Sequence, residues 1–210
     1  MFSLRRQHPS FAHGIHPPEA KDETRDLPIK QFPFAPVMIV PLQQHIGKPA
    51  LAVVREGQEV ERGQLIAEPD GFVSVAMHAP ASGVIQRIGL APAINGKMGP
   101  AIYLKPFPGS SQEVAEGIPC ELETASADDI LLAIQRAGIV GLGGAAFPTH
   151  VKLKVPEGKA IDTLVINGVE CEPYLTTDHR VMVEQPADIF TGIRYLLKVT
   201  GAPRAIIGVE

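Results

Sequence analysis

The chain has 210 residues, of which 45% are hydrophobic and 20% are charged, and its 20 glycines and 20 prolines indicate many turns. Such a length suits one medium domain or two small domains, each with a core of its own. The formal net charge of −4 argues against a nucleic-acid role and against a broad attraction to acidic lipid. No stretch approaches the ~20 apolar residues of a membrane-spanning helix, so we expect a chain that is soluble or held at a membrane only by partners.

The metal-ligating residue types are too scattered to form a complete metal site. The two cysteines, Cys120 and Cys171, make no C-x-x-C pair, which is typical of a reducing compartment. Residues 1–35 are rich in proline, histidine and charge, and this composition predicts an extended arm pinned to another surface. A metal pair of His13 and His16 within this arm would need further ligands that the sequence does not identify.

Residues 36–108 contain short apolar runs separated by glycine and proline turns. Strands this short, with a turn signal about every ten residues, predict a small all-β sandwich or barrel without helices. The expected strands cover residues 37–40, 50–54, 58–67, 82–88 and 101–104.

A change of pattern follows. Residues 109–125 form a linker, and residues 126–210 form the first part of an α/β domain. Ser126 predicts a helix N-cap because acidic residues follow it in the first turn, and the helix should stop at Gly138. Four residues recur at helical spacing and should pack inward: Ile130, Leu131, Ile134 and Ala137.

The last segment combines strands with a helix. A β-branched run over residues 161–166 predicts a buried strand, and residues 205–209 begin another one. A helix is expected over residues 186–200 that covers the first of these strands. An α/β layer that stops at its second strand leaves an open edge, so we expect the natural protein to continue past Glu210. The inward face of the helix should carry Ile189, Ile193, Leu196 and Leu197.

Two polar motifs flank the run over residues 161–166. The first, the glycine loop (residues 141–147), reads G-L-G-G-A-A-F and is followed by Lys152. The second, the acidic bend (residues 167–174), reads N-G-V-E-C-E-P-Y. The alternatives to a ligand site are an ordinary turn and a solvated surface loop, and the dinucleotide fingerprint G-x-G-x-x-G is absent. Backbone N–H groups are open to a flat or phosphorylated ligand at three glycines: Gly141, Gly143 and Gly144.

These motifs resemble those of a flavoprotein family. The run G-L-G-G-A-A-F-P-T-H-V-K is similar to the flavin loop of the NADH-binding flavoprotein subunit of respiratory complex I, G-R-G-G-A-G-F-P-T-G-x-K-W. Closer still is the C subunit of Rnf-type ion-translocating electron transport complexes, with G-L-G-G-A-x-F-P-T-x-V-K-L and I-N-x-x-E-C-E-P-Y.

The run G-Q-E-V-E-R-G-Q-L-I-A, in turn, resembles the lipoyl-like barrel-sandwich hybrid. The carriers of that family present a modified lysine at a hairpin tip, whereas residues 68–73 contain no lysine. The resemblances together imply a mixed α+β fold, in which a small all-β barrel-sandwich hybrid module precedes the start of an α/β flavin/NADH-binding domain.

The resemblance implies FMN as the cofactor and NADH as the electron donor. The three glycines would let the loop lie against the flavin, Lys152 would sit near its phosphate or ring, and Asn167 would hydrogen-bond it. Glu170 and Glu172 would line the floor where flavin and nicotinamide stack, with Glu172 on the nicotinamide ribose. Three residues depart from the complex I pattern: Leu142, Val169 and Leu153 replace an arginine, an aspartate and a tryptophan. The first two remove charged groups beside the cofactor, which puts the nucleotide preference in question.

The resemblance further implies an NADH-dependent oxidoreductase subunit that passes electrons through FMN towards 4Fe–4S clusters, which that family holds further along the chain. Such a subunit would be peripheral on the cytoplasmic face of the inner membrane, with other subunits of the complex as partners. We expect this fragment alone to bind flavin weakly or not at all. A soluble flavin/iron–sulfur reductase of the cobalamin-reductase kind and a non-enzymatic docking adaptor are the alternatives.

Overall fold

The computed structural model of the chain describes residues 17–93, 96–115, 117, 120–142 and 145–209. The His13 and His16 pair considered above lies outside these residues.

The first half of the described chain is an antiparallel β module. Its strands are β1 (Met38–Pro41), β2 (Leu51–Ala52), β3 (Glu59–Val60), β4 (Leu65–Glu68), β5 (Met77–His78), β6 (Gly83–Pro92) and β7 (Met98–Pro106). They form one sheet in the order β1-β7-β6-β3 and a second in the order β2-β4-β5. A register shift between Ile85 and Arg87 bends β6 against β7, which curls the larger sheet. The all-β character of this region is confirmed. The strand expected over residues 58–67 is divided into β3 and β4, which belong to different sheets, and the two-residue strand β5 has no predicted counterpart.

The core of the β module lies between its two sheets. Ile66, Ile85, Ile102 and Leu104 are each fully buried there, and burial of each contributes roughly 1.5–3 kcal/mol. On the other face of β7, the ring of Tyr103 lies under the guanidinium group of Arg87, 3.5 Å from the ring centroid. Strand β7 is therefore covered on both faces, and it pairs with β1 on one side and β6 on the other.

The second half is an α/β layer that follows the β module. It contains α1 (Ala127–Arg136), α2 (Thr149–Leu153), β8 (Leu164–Gly168), α3 (Thr177–Glu184), α4 (Pro186–Thr200) and β9 (Ala205–Val209). Strands β8 and β9 pair in parallel, with Leu164 opposite Ala205, and α3 and α4 form the crossover between them. The chain is thus a mixed α+β protein, as its motifs imply.

Helix α4 has the predicted bounds. Pro186 starts it, where a missing N–H costs nothing, and Gly201 ends it with a left-handed φ of 68°. Of its predicted inward residues, Ile193 is buried and the others are partly buried. This helix also contacts α1, α2 and β8, so it joins the elements of the layer.

Two burial predictions in this layer were wrong. Ala137 is exposed because α1 already ends at Arg136 and Ala137 caps it, whereas Ile130 and Ile134 pack inward as expected. The strand predicted as buried begins only at Leu164, and Val165 is 67% exposed. Helices α3 and α4 cover one face of the β8–β9 pair, and side chains of successive residues point to opposite faces of a strand. Val165 therefore lies on the uncovered face.

The start of α1 predicts a pH-dependent change. Ser126 and Asp129 form a capping box, and these hydrogen bonds from Ser126 lower the pKa of the Asp129 carboxyl. A lowered folded-state pKa means that the carboxylate stabilises the helix start at neutral pH. This stabilisation should be lost as the pH falls from the unfolded value of about 3.9 through the folded-state pKa.

An NMR titration of the aspartate carboxyl groups checks this prediction. Asp129 should titrate at lower pH in the parent chain than in Ser126→Ala, which removes the hydroxyl donor to its carboxylate. Titration of Asp129 at the same pH in both proteins would contradict the capping box.

Candidate cofactor-binding site

The glycine loop is closed at its base by the backbone. The amide of Gly141 donates to the carbonyl of Phe147 at 3.0 Å, and the amide of Ala146 donates back to Gly141 at 3.2 Å. Leu142, the residue after Gly141, is 87% exposed. The amides of Leu142 and Ala145 donate to no acceptor among the described residues. They are therefore available to a ligand.

Of the three glycines of the loop, Gly141 lies within the described residues, whereas Gly143 and Gly144 lie outside them. A Cβ atom at Gly141 would come no nearer than 3.9 Å to the carbonyl of Phe147, so its own contacts leave space for a side chain. Ala146 instead has a left-handed φ of 53°, which costs a non-glycine residue about 1 kcal/mol. The role of Gly141, Gly143 and Gly144 in flavin binding stays a prediction.

Helix α2 follows the loop and presents Lys152 to solvent. Leu153 is buried against Ile130 and Ile134, and so fills an inward position where the complex I pattern has tryptophan. His150, three residues earlier on the same face, is only 2% exposed. The ammonium group of Lys152 points away from these contacts and pairs with no described residue. It is a cation available to an anionic ligand.

The acidic bend begins at the carboxyl end of β8. The side-chain oxygen of Asn167 accepts from the amide of Val169 at 3.2 Å, and its exposed NH₂ group has no partner among the described residues. A Cβ atom at Gly168 would lie 2.8 Å from the sulfur of Met182 and 3.0 Å from the carbonyl of Gly208. Glycine at 168 thus lets α3 and β9 approach the end of β8.

The two glutamates of the bend differ in their surroundings. Glu170 is 9% exposed, and one carboxylate oxygen accepts from the amide of Asp178 at 3.2 Å, in the first turn of α3. Its other carboxylate oxygen is buried and has no hydrogen-bond partner among the described residues. Glu172 is exposed, and its carboxylate pairs with no described residue. Glu170 therefore organises the bend, whereas Glu172 is free to meet a ligand.

The arm supplies residues that sequence reasoning did not connect with the site. The ammonium group of Lys21 donates to the carbonyl of Glu170, and the carbonyl of Glu19 accepts from the amide of Tyr174 at 2.8 Å. Further along, the amide of Ile29 donates to the carboxylate of Glu184 at 3.1 Å. Contacts between residues so far apart in sequence leave no local pattern, so only the structure could find them.

Helix α2, which follows the glycine loop, and strand β8, which leads into the acidic bend, pack against a common helix, α4. No hydrogen bond joins the loop to the bend within the described ranges. A cavity of about 490 Å³ opens beside Asn167 and Gly168, between the strand ends and α3 and α4. None of the described residues of the glycine loop lines it. A cleft shared by loop and bend stays a prediction.

Comparison with known proteins adds the family. Residues 9–106 match the RnfC barrel sandwich hybrid domain, and residues 134–210 match the Nuo51 FMN-binding domain. The C subunit of a proton-translocating ferredoxin:NAD(+) oxidoreductase complex from Clostridium ljungdahlii is 40% identical over 203 residues, which are 96% of this chain and 44% of the relative. The chain belongs to the RnfC family.

Other relatives agree with this assignment. The C subunit of a Na(+)-translocating ferredoxin:NAD(+) oxidoreductase complex from Acetobacterium woodii is 39% identical over 97% of this RnfC chain and 46% of its own length. The C subunit of an ion-translocating oxidoreductase complex from Pseudomonas aeruginosa is 41% identical over 96% of this chain and 26% of its own length. The chain spans about half the length, or less, of these curated relatives.

The charges and hydrogen-bond donors at the candidate site of this RnfC chain fit FMN. A flavin phosphate needs a cation and N–H donors, and the available ones are Lys152 and the amides of Leu142 and Ala145. The NH₂ group of Asn167 is a further free donor. All of these groups lie within residues 134–210, the part that matches the FMN-binding domain.

Two other features of the RnfC chain concern its setting. None of the helices in the described ranges has the length and apolar character needed to cross a membrane. The same ranges contain no cluster of three or more histidine, cysteine, aspartate or glutamate side chains arranged for a metal ion.

The difference between the two glutamates can be tested by mutation. Glu170→Ala leaves the amide of Asp178 and the start of α3 without an acceptor, so we expect it to lower the free energy of unfolding by about 1 kcal/mol. Glu172→Ala is the matched control, because its carboxylate has no partner among the described residues, and it should leave stability unchanged. Urea denaturation measures both, and equal effects would contradict the division of roles.

Proposed function

We propose that this RnfC chain forms the electron-entry part of a membrane-associated complex, where electrons pass from NADH to FMN and on towards 4Fe–4S clusters held outside these residues. Two relatives, from Clostridium ljungdahlii and Acetobacterium woodii, are named as ferredoxin:NAD(+) oxidoreductase subunits. These names support NADH as the nucleotide in the proposal. Other subunits of the complex are the partners, and they hold the chain at the cytoplasmic face of the inner membrane.

The observation that carries the proposal is the ammonium group of Lys152, which follows the glycine loop and has no partner among the described residues. Its helix, α2, and the strand of Asn167, β8, both pack against α4. Bound FMN would supply the hydride chemistry. Lys152 neutralises the phosphate, and the amides of Leu142 and Ala145 donate to the cofactor. Glu172 accepts hydrogen bonds from hydroxyl groups of the nicotinamide ribose.

The division between Glu170 and Glu172 refines this site. A carboxylate that must bind a ribose has to be reachable, and Glu172 is exposed whereas Glu170 is buried beneath the bend. Glu170 thus contributes by holding the bend and the start of α3. The electron-transfer assignment is favoured over the adaptor alternative because Lys152, Asn167 and Glu172 all keep polar groups free of partners among the described residues.

An anaerobic titration of the full-length protein tests the proposed function. The purified protein should retain FMN, and NADH should bleach the flavin absorbance in stoichiometric amounts. NADPH serves as the matched donor and should bleach it more slowly. Full-length protein that holds no flavin under these conditions would refute the proposal. Residues 1–210 alone should retain little or no flavin after gel filtration.

A further inference from the structure

The contact between the β module and the glycine loop is built around the loop that joins β4 to β5, here called the tip loop (residues 69–76). The side chain of Gln135 donates to the carbonyls of Gly71 and Ser74, at 3.0 Å in each case. The amide of Ala76 donates back to the carbonyl of Gln135 at 3.2 Å. One residue of α1 therefore fixes the tip loop at three points.

His150 makes the second contact with the tip loop. Its ring nitrogen Nε2 lies 2.7 Å from the carbonyl of Phe72, and that carbonyl can only accept, so Nε2 is the donor. The imidazole packs edge-on against the ring of Phe72, with 5.4 Å between centroids. His150 is 2% exposed, so a buried side chain immediately after the glycine loop is held by the β module.

The turn at Ile46 makes the third contact. Its amide donates to the carbonyl of Ala146 in the glycine loop at 3.3 Å. The same turn is tied to the tip loop, because the amide of Lys48 donates to the carbonyl of Val73 at 3.0 Å. Gly47 has a φ of 118°, and a Cβ atom there would lie 1.9 Å from the carbonyl of Val73. Turn and tip loop therefore form one surface.

We propose that His150 is a positioning residue for the cofactor site, and that the β module is the template that fixes the end of the glycine loop, from Ala146 onwards, through His150 and Ile46. The tip loop has no lysine to carry a swinging group, and its carbonyls are used to hold α1 and α2. The relevance to flavin rests on the proposed function, whereas the template itself rests on the contacts alone.

Two variants of His150 separate the donor from the ring. His150→Gln keeps an N–H donor near the position of Nε2, whereas His150→Phe keeps a ring without a donor. The exposed His179→Phe is the matched control, since its side chain meets no described residue. Hydrogen exchange of residues 141–149 is measured on the full-length protein without added flavin, and flavin content is measured separately.

We expect His150→Phe to raise the exchange rate in this segment by about tenfold, as expected for loss of a buried hydrogen bond. His150→Gln should stay within about twofold of the parent protein, as should the control. Flavin content should fall in His150→Phe and recover in His150→Gln. Equal exchange in His150→Phe and the control, or failure of His150→Gln to restore protection, would overturn the proposal.

The hydrogen-exchange measurement distinguishes failure of the template from failure of the proposed function. A parent protein without flavin refutes the proposed function, while the exchange pattern still supports or overturns the template. Where His150→Phe does not fold, Gln135→Met tests the same contact, because it removes both donors to the tip loop at similar volume. Faster exchange in residues 141–149 of this variant supports the template, and unchanged exchange overturns it.

Discussion

Lys152→Ala in the full-length protein is expected to weaken FMN binding by roughly tenfold to a hundredfold, the usual range for loss of a charge-assisted hydrogen bond to phosphate. The ammonium group has no internal partner among the described residues, so its removal breaks no contact of the fold. The effect should therefore appear in affinity and not in stability. Fluorescence titration of the flavin-free protein with FMN measures the first, and urea denaturation measures the second.

Salt dependence gives this experiment a second readout. Attraction between an exposed ammonium group and a phosphate is screened by salt, so affinity of the parent protein should fall with ionic strength more steeply than that of Lys152→Ala. Lys159→Ala removes another exposed lysine outside the motif and serves as the matched control. Equal losses in the two variants would contradict the assignment of Lys152 to the cofactor.

Leu104→Ala is expected to destabilise the β module by about 2–5 kcal/mol, the range for loss of a buried leucine side chain. Leu104 is fully buried in the core of the β module, on a strand whose residues on both sides are also covered. Strands β1 and β6 are hydrogen-bonded to β7 on either side, which restrains the sheet from collapsing into the space left behind. Urea denaturation followed by circular dichroism measures the loss.

The same experiment has an internal control in β6. Leu90 is 58% exposed, so Leu90→Ala should cost no more than about 0.5 kcal/mol. If the β module is the template of the glycine loop, Leu104→Ala should also reduce flavin content at urea concentrations where the α/β layer is still folded. Full flavin content after loss of the β module would contradict that dependence.

Much of the fold could be predicted because the signals are local. Turn residues and short apolar runs define the strands of the β module. Pro186 marks the start of α4, and Gly201 marks its end. Helix α3 gave no such signal, since it buries no residue fully and its first turn is held by the carboxylate of Glu170. A helix whose start depends on a contact from outside its own sequence cannot be read from periodicity.

The candidate site shows the same limit. The residue types of the glycine loop and the acidic bend point to a flavin, but Glu170 and Glu172 look equivalent in sequence. The two side chains differ because Glu170 is buried and accepts from the amide of Asp178 in α3. Lys21 adds a contact with the carbonyl of Glu170 across 149 positions of the chain. The exposure of Val165 likewise depends on which face of β8 the helices cover. Both are decided by packing between distant segments.

The arm that holds the acidic bend has a consequence for biosynthesis. Residues 19–29 leave the ribosome long before residues 170–184, which contain their acceptors and donors. At roughly 5–20 residues per second, the delay amounts to about 8 to 30 seconds. Throughout that interval the nascent arm is accessible to proteases and chaperones. A fusion partner at the amino terminus would hinder its late docking more than the earlier folding of the β strands.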